Sequence, residues 1–121
     1  MTAVDRLNGI NSGLAVKAPC IAATTANITL SSAQTIDGVA VVTGDRVLVK
    51  NQTSAVNNGI YVVSSTAAWS RATDFDGPRD VMTGTRVLVT GGTVSENVEF
   101  VVTTTGSLTP ATSSITFEAI P

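Results

Sequence analysis

The sequence predicts an all-β fold, a small antiparallel sandwich or barrel of about eight strands built from two similar halves, with an N-terminal arm. Three observations carry that prediction. Thr and Val make up roughly thirty per cent of the residues, and both are β-branched side chains suited to a pleated, half-buried surface. Short apolar runs alternate with turn formers at close spacing, the pattern of stacked or closed antiparallel sheets rather than of βαβ units. The chain also repeats itself: GDRVLVKNQTSAVNNGIYVV at residues 44–63 returns as GTRVLVTGGTVSENVEFVV at residues 84–102.

Residues 1–19, MTAVDRLNGINSGLAVKAP, stand apart. Val4, Leu7 and Ile10 fall at helical spacing, Asn8-Gly9 and Ser12-Gly13 break the pattern, and Pro19 closes it. The segment is too apolar for a solvated tail. It reads either as an arm that docks on something else, with Leu7, Ile10 and Leu14 as the anchor contacts, or as a frayed terminus. The single β domain then runs over residues 20–121.

Within it, ANITL alternates as a strand, with Ile28 and Leu30 on one side. QTIDGVAVV places Asp37-Gly38 between apolar residues, a two-residue hairpin signal. Arg46 to Lys50 follow as a strand whose centre, Val47-Leu48-Val49, is continuously apolar, as in a strand covered on both faces. NQTSAVNN is a loop; GIYVVSS and AAWSRA are strands. TDFDGPRDV is a loop by composition. TRVLVT and NVEFVVTT are strands, residues 106–113 a Gly/Ser/Pro loop, and SITFEAI the closing strand.

Aligning the copies sets Arg46, Val47, Leu48 and Val49 on Arg86, Val87, Leu88 and Val89. Thr53 falls on Thr93, Asn58 on Asn97, Tyr61 on Phe100, and Val62-Val63 on Val101-Val102. AAWSRA and SITFEA each bring one aromatic into a closing strand. The units span residues 43–72 and 83–119. Two copies are too few for a solenoid. They suit two three-stranded halves that pack face to face or close into a barrel, each burying the apolar face the other cannot cover alone. Arg46 and Arg86, at equivalent strand starts, read as cations bonding nearby carbonyls.

Composition narrows the function. Charged residues are only 13% of the chain, about half the typical share. A surface so poor in charge and rich in Thr, Ser and Ala suits burial against neighbouring subunits. The formal charge of −2 argues against a nucleic-acid partner, which requires clustered cations. No run approaches a membrane span, and no basic stripe suits a membrane surface. Cys20, the one cysteine, makes neither an intrachain disulfide nor a metal cluster and reads as a small, partly buried apolar side chain.

Catalytic equipment is missing. There is no histidine, no nucleophile elbow and no phosphate-binding glycine loop. DFDGPRD holds Asp74, Asp76 and Asp80 in one loop but lacks the downstream Glu and the spacing of a calcium loop. The chain reads as a non-enzyme with no cofactor and no metal. Trp69 and Arg71, two apart on a strand, share a face and can stack. With Asp74, Asp76 and Asp80 they form the candidate recognition region.

The stretch at residues 16–76, with its ATTANITLS, QTIDG, GDRVLVKNQT, NNGIYVV and WSRATDFD, resembles a β-rich domain of bacteriophage tail-fibre and tail-appendage proteins. That resemblance implies a structural building block of the virion. It implies an oligomer of the chain with itself, a homotrimer, held among other virion proteins and without catalytic residues to carry over. In such fibres the domain is often one segment of a longer chain; here it stands with only the arm added. A protein decorating the capsid surface (a head fibre or cement protein) is therefore the alternative. A module binding a host-surface glycan through its loops is another.

Overall fold

The structure, a computed structural model, describes residues 15–120. Leu7, Ile10 and Leu14 lie outside them. The described residues form an almost purely β fold. The strands are β1 (Val16–Cys20), β2 (Ala22–Ala23), β3 (Gln34–Ile36), β4 (Val39–Val41), β5 (Arg46–Val49), β6 (Gly59–Val62), β7 (Ser70–Arg71), β8 (Arg86–Val89), β9 (Val98–Val102) and β10 (Phe117–Ala119). Single helical turns at Ala55–Asn57 and Thr73–Phe75 interrupt the loops.

The strands make three sheets: β2-β5-β6-β7, β1-β8-β9-β10 and the hairpin β3-β4. The repeat is structural. In each copy a strand pairs antiparallel with the next, and Val47 faces Tyr61 as Val87 faces Phe100. The turns that open the copies are superposable in their bonding. Gly44 and Gly84 take φ of 96° and 95°. Their amides donate to Val63 and Val102, at 3.0 and 2.9 Å. The Val42 amide donates to the Asp45 carboxylate and the Met82 amide to the Thr85 hydroxyl. Register also equates the closing aromatics, since Tyr61 opposes Arg71 as Phe100 opposes Ala119, which sets Trp69 against Phe117.

Ten strands stand where about eight were expected, and the sheets do not close into a barrel. One extended N-terminal run supplies the difference. β1 pairs parallel with β8 in the second copy, the chain kinks at Ile21, and β2 pairs parallel with β5 in the first. Each copy therefore gains a fourth strand from the same segment. Residues 16–19, assigned to the arm by sequence, lie in β1. Pro19 sits there because β1 is an edge strand, where a missing N–H breaks no ladder.

The expected strand at residues 26–30 is not formed. Its backbone is held by side chains instead: the Gln52 amide accepts from the Ile28 N–H and donates to the Ile28 carbonyl, both at 3.0 Å, and Asn27 accepts from the Thr53 N–H. Ile28 and Leu30 still turn inward and are half-buried.

Two apolar clusters make the core. One joins Leu48 and Ile60 of the first copy to Val87, Val89, Phe100 and Val102 of the second. The other joins the reverse face of the first copy, Val47, Val49, Tyr61 and Val63, to Ile36 and Val41 of the hairpin and to Trp69. Val47, Leu48 and Val49 are all fully buried, as their unbroken apolar run predicts. The copies do not meet through equivalent faces. The second copy contributes the Val87/Phe100 face, whereas the first contributes the face opposite to its own Val47/Tyr61 face.

Candidate functional site

The side chains singled out by sequence gather around the end of β7 and the loop that follows it. Arg71 leaves β7 beside Tyr61, its guanidinium 5.0 Å from the ring centre. It donates to the carbonyls of Asn58 and Val56, at 3.1 and 2.9 Å. Gly59 makes room for this: a Cβ there would stand 2.7 Å from Arg71 Nη1 and 3.2 Å from the Phe75 ring. That is why Gly59 has no glycine counterpart in the second copy, where position 119 is Ala. Burial raises the Tyr61 phenol above its ordinary value, with the Arg71 charge opposing.

Trp69 is only 6% exposed, and its indole N–H donates to the Ser32 carbonyl at 2.9 Å. Its backbone N–H bonds Leu30, and Ser31 bridges Ala68, so residues 30–32 cover the free edge beyond β7. The indole therefore packs inward and offers no open platform for a sugar ring.

Beyond β7 the Thr73–Phe75 turn buries Phe75 in the core and directs Asp74 back to β5. Asp74 receives both terminal nitrogens of Arg46, at 3.0 and 3.1 Å. Arg46 Nη2 also donates to the Ala18 carbonyl of β1, at 3.0 Å. The expectation that Arg46 bonds nearby carbonyls is met, with a bidentate carboxylate added. Asp80 folds over its own loop and accepts the amides of Asp76 and Gly77, both at 2.9 Å. Burial alone would raise its carboxyl; those amides outweigh it and hold Asp80 below its ordinary value. Asp76 is its counterpart, raised first by the hydrogen bond it shares with Asp80.

One buried group in this region, Lys17, escaped the sequence reading, whereas Cys20 is buried as expected, and fully so. Lys17 of β1 is 5% exposed, on the face turned toward the core. Burial pushes its ammonium pKa down, against the pull of Asp74 and Asp80. Cys20 is buried beside Arg46, and desolvation pushes its thiol up to about 12. Such a thiol is inert at neutral pH, in keeping with a packing role. No sequence signal marks Lys17 as buried, because its neighbours Val16 and Ala18 are the exposed ones.

Together Lys17, Arg46, Asp74 and Asp80 form a charged seam where β1, β5 and the loop after β7 converge. Its chemistry is mutual neutralisation. Among the described residues no group of three or more metal-ligating side chains converges. The loops that differ between the copies are likewise engaged inside the chain. Thr24 donates to Asn51 and accepts from the Lys50 N–H in the first copy. In the second, Asp37 at the hairpin tip receives the amides of Val94 and Ser95. A scan against protein-family models, a search of curated proteins and a search of solved structures each return no match.

Proposed function

We propose that the chain is a non-enzymatic structural protein of a bacteriophage virion, an oligomeric component of a tail fibre or tail appendage that assembles as a homotrimer among other virion proteins. The observation that carries this reading is the set of motifs that resembles that domain family, and the way those motifs hold one another. The residues of ATTANITLS bond NQT of the next motif through Thr24–Asn51, Ile28–Gln52 and Asn27–Thr53. The Trp69 of WSRATDFD closes on Leu30 and Ser32. The motifs thus act as one interlocked scaffold, which supports transferring the family's structural role as a unit.

The candidate side chains support a role in packing more than one in recognition. Trp69, Arg71, Asp74 and Asp80 all bond within the chain, which weighs against a glycan site built on them. In this reading the two sheets form a sandwich of two similar halves stacked head to tail. The arm over residues 1–14 anchors the module to a larger assembly.

The test is to raise an antibody against the purified chain and apply it with gold label to purified phage particles. Label on fibres or tail appendages is the expected result, label on the head selects a capsid decoration, and intact particles lacking the protein by mass spectrometry overturn the reading.

A further inference from the structure

The internal repeat shows, residue for residue, what covers one face of this β unit. In the first copy that face carries Arg46, Leu48 and Ile60. It lies against the second copy's Val87, Val89, Phe100 and Val102. Leu48 and Ile60 are fully buried. Arg46 reaches across to the Ala18 carbonyl in β1, a strand of the other sheet. The same face of the second copy carries Arg86, Leu88 and Glu99, because strand alternation sends Val87, Val89 and Phe100 inward. There Leu88 is 37% exposed. Among the described residues Arg86 pairs with Glu99 alone, at 3.7 Å, with side-chain exposures of 52% and 37%. Val16, in register with Arg86 on the neighbouring strand, adds an apolar side chain 58% exposed, and Val101 opposes Arg86 from β9.

We infer that this outer face of the β1-β8-β9-β10 sheet is the surface through which copies of the chain meet, each turning the same face toward a common threefold axis so that one copy's face packs on the next. The inference rests on the reading that the protein assembles with itself. A head-to-tail continuation of the internal stack is blocked, since the face that would receive it, Val47/Val49/Tyr61/Val63, is already under the β3-β4 hairpin. The partner therefore offers its own outer face. That face carries a cation, Arg86, flanked by two anions, Glu99 and, across Val101, the exposed Glu118 of β10, so Arg86 of one copy meets a carboxylate, Glu99, of the next. Glu99 in place of Ile60 marks the difference between the two contacts. The intrachain contact is a buried apolar one, and the outer one has an apolar centre with a charged rim.

The test is the oligomeric state of the full-length chain by light scattering and sedimentation over a wide concentration range. Leu88→Glu is expected to dissociate the oligomer while circular dichroism stays that of the folded chain. Arg86→Glu and Glu99→Arg, mild changes at exposed sites, are each expected to raise the dissociation concentration by about tenfold or more. An equimolar mixture of those two variants is expected to associate again, since Arg86→Glu makes this face wholly anionic and Glu99→Arg sets two cations on it against Glu118 alone. The intrachain ion pair cannot produce that recovery. Charge variants that associate like the parent, or that weaken without recovering in the mixture, overturn this surface and leave the assembly reading standing. A parent chain that is monomeric throughout overturns both.

Discussion

The Asp37 carboxylate, at the tip of the β3-β4 hairpin, accepts the backbone N–H of Ser95, 58 residues away, at 3.0 Å. It also accepts the N–H of Val94 at 3.0 Å, and the Asp37 carbonyl accepts that of Thr93 at 2.9 Å. Gly92 brings the backbone this close: its φ is 117°, and a Cβ there would stand 2.4 Å from Asp37 Oδ2. One side chain thus clamps the β3-β4 hairpin, which precedes the first copy, onto the loop of the second. Asp37→Ala strands those amides, and equilibrium unfolding in urea should show a loss of ~1–3 kcal/mol. Gly92→Ala should cost about as much through backbone strain and the close contact. The double variant should cost clearly less than the sum, because both changes break one contact.

The Asp37-Gly38 turn itself is legible in the sequence, and both residues take the positive φ that such hairpins require. The clamp is not, since nothing local to IDG names an acceptor for amides of residues 94 and 95. The same limit holds for the repeat. RVLV occurs twice and predicts two alike strands, yet Leu48 is sealed and Leu88 open. A strand's own letters do not say what lies across from it. The distinguishing signal is one strand over, where Ile60 opposes Leu48 and Glu99 opposes Leu88. Of the candidate side chains, the sequence places Trp69, Arg71, Asp74 and Asp80 in one neighbourhood. It does not reveal that each bonds inward, because their partners are mainly backbone carbonyls and amides, which carry no residue identity.

Trp69 provides a direct contrast between packing and recognition. Its ring fills the cluster of Tyr61, Val63, Ile36 and Val41. Trp69→Ala should therefore cost ~3–5 kcal/mol in urea unfolding. Trp69→Phe should cost less, keeping most of the packing and losing the bond to Ser32. A Trp69→Ala chain as stable as the parent would show that the ring does not pack there.

The start of β1 at Val16 separates two truncations. Removing residues 1–14 leaves β1 whole, so the domain should keep its midpoint of thermal unfolding while failing to join particles in a complementation assay. Removing residues 1–18 takes Val16 and Lys17 from their pairing with Arg86 and Val87. That shortens β1, the edge strand of the β1-β8-β9-β10 sheet, and should lower the midpoint by several degrees, on the order of 1 kcal/mol or more for a domain this size. Equal midpoints for the two truncations would mean that β1 contributes nothing to stability.

Alkaline pH reads out the buried thiol. Folding raises Cys20 from 9.0 to about 12, with burial as the cause. Between those values the native chain keeps a proton that the unfolded chain releases, so stability present below pH 9 is lost as the pH climbs toward 12. Lys17 acts the other way. Burial lowers its pKa below 10.5, so the native state sheds its proton first and stability rises with pH between the lowered value and 10.5. The parent profile is the difference of the two, with a further fall above pH 10 from the raised Tyr61. Cys20→Ala removes one contribution and leaves the others. The gap in unfolding free energy between parent and Cys20→Ala should therefore be constant up to pH 8 and then move in favour of the variant by about 1.4 kcal/mol per pH unit at most. Urea titrations at pH 8, 9.5 and 10.5 suffice. A gap that stays constant across them would mean that Cys20 ionises in the folded chain as it does in the unfolded one.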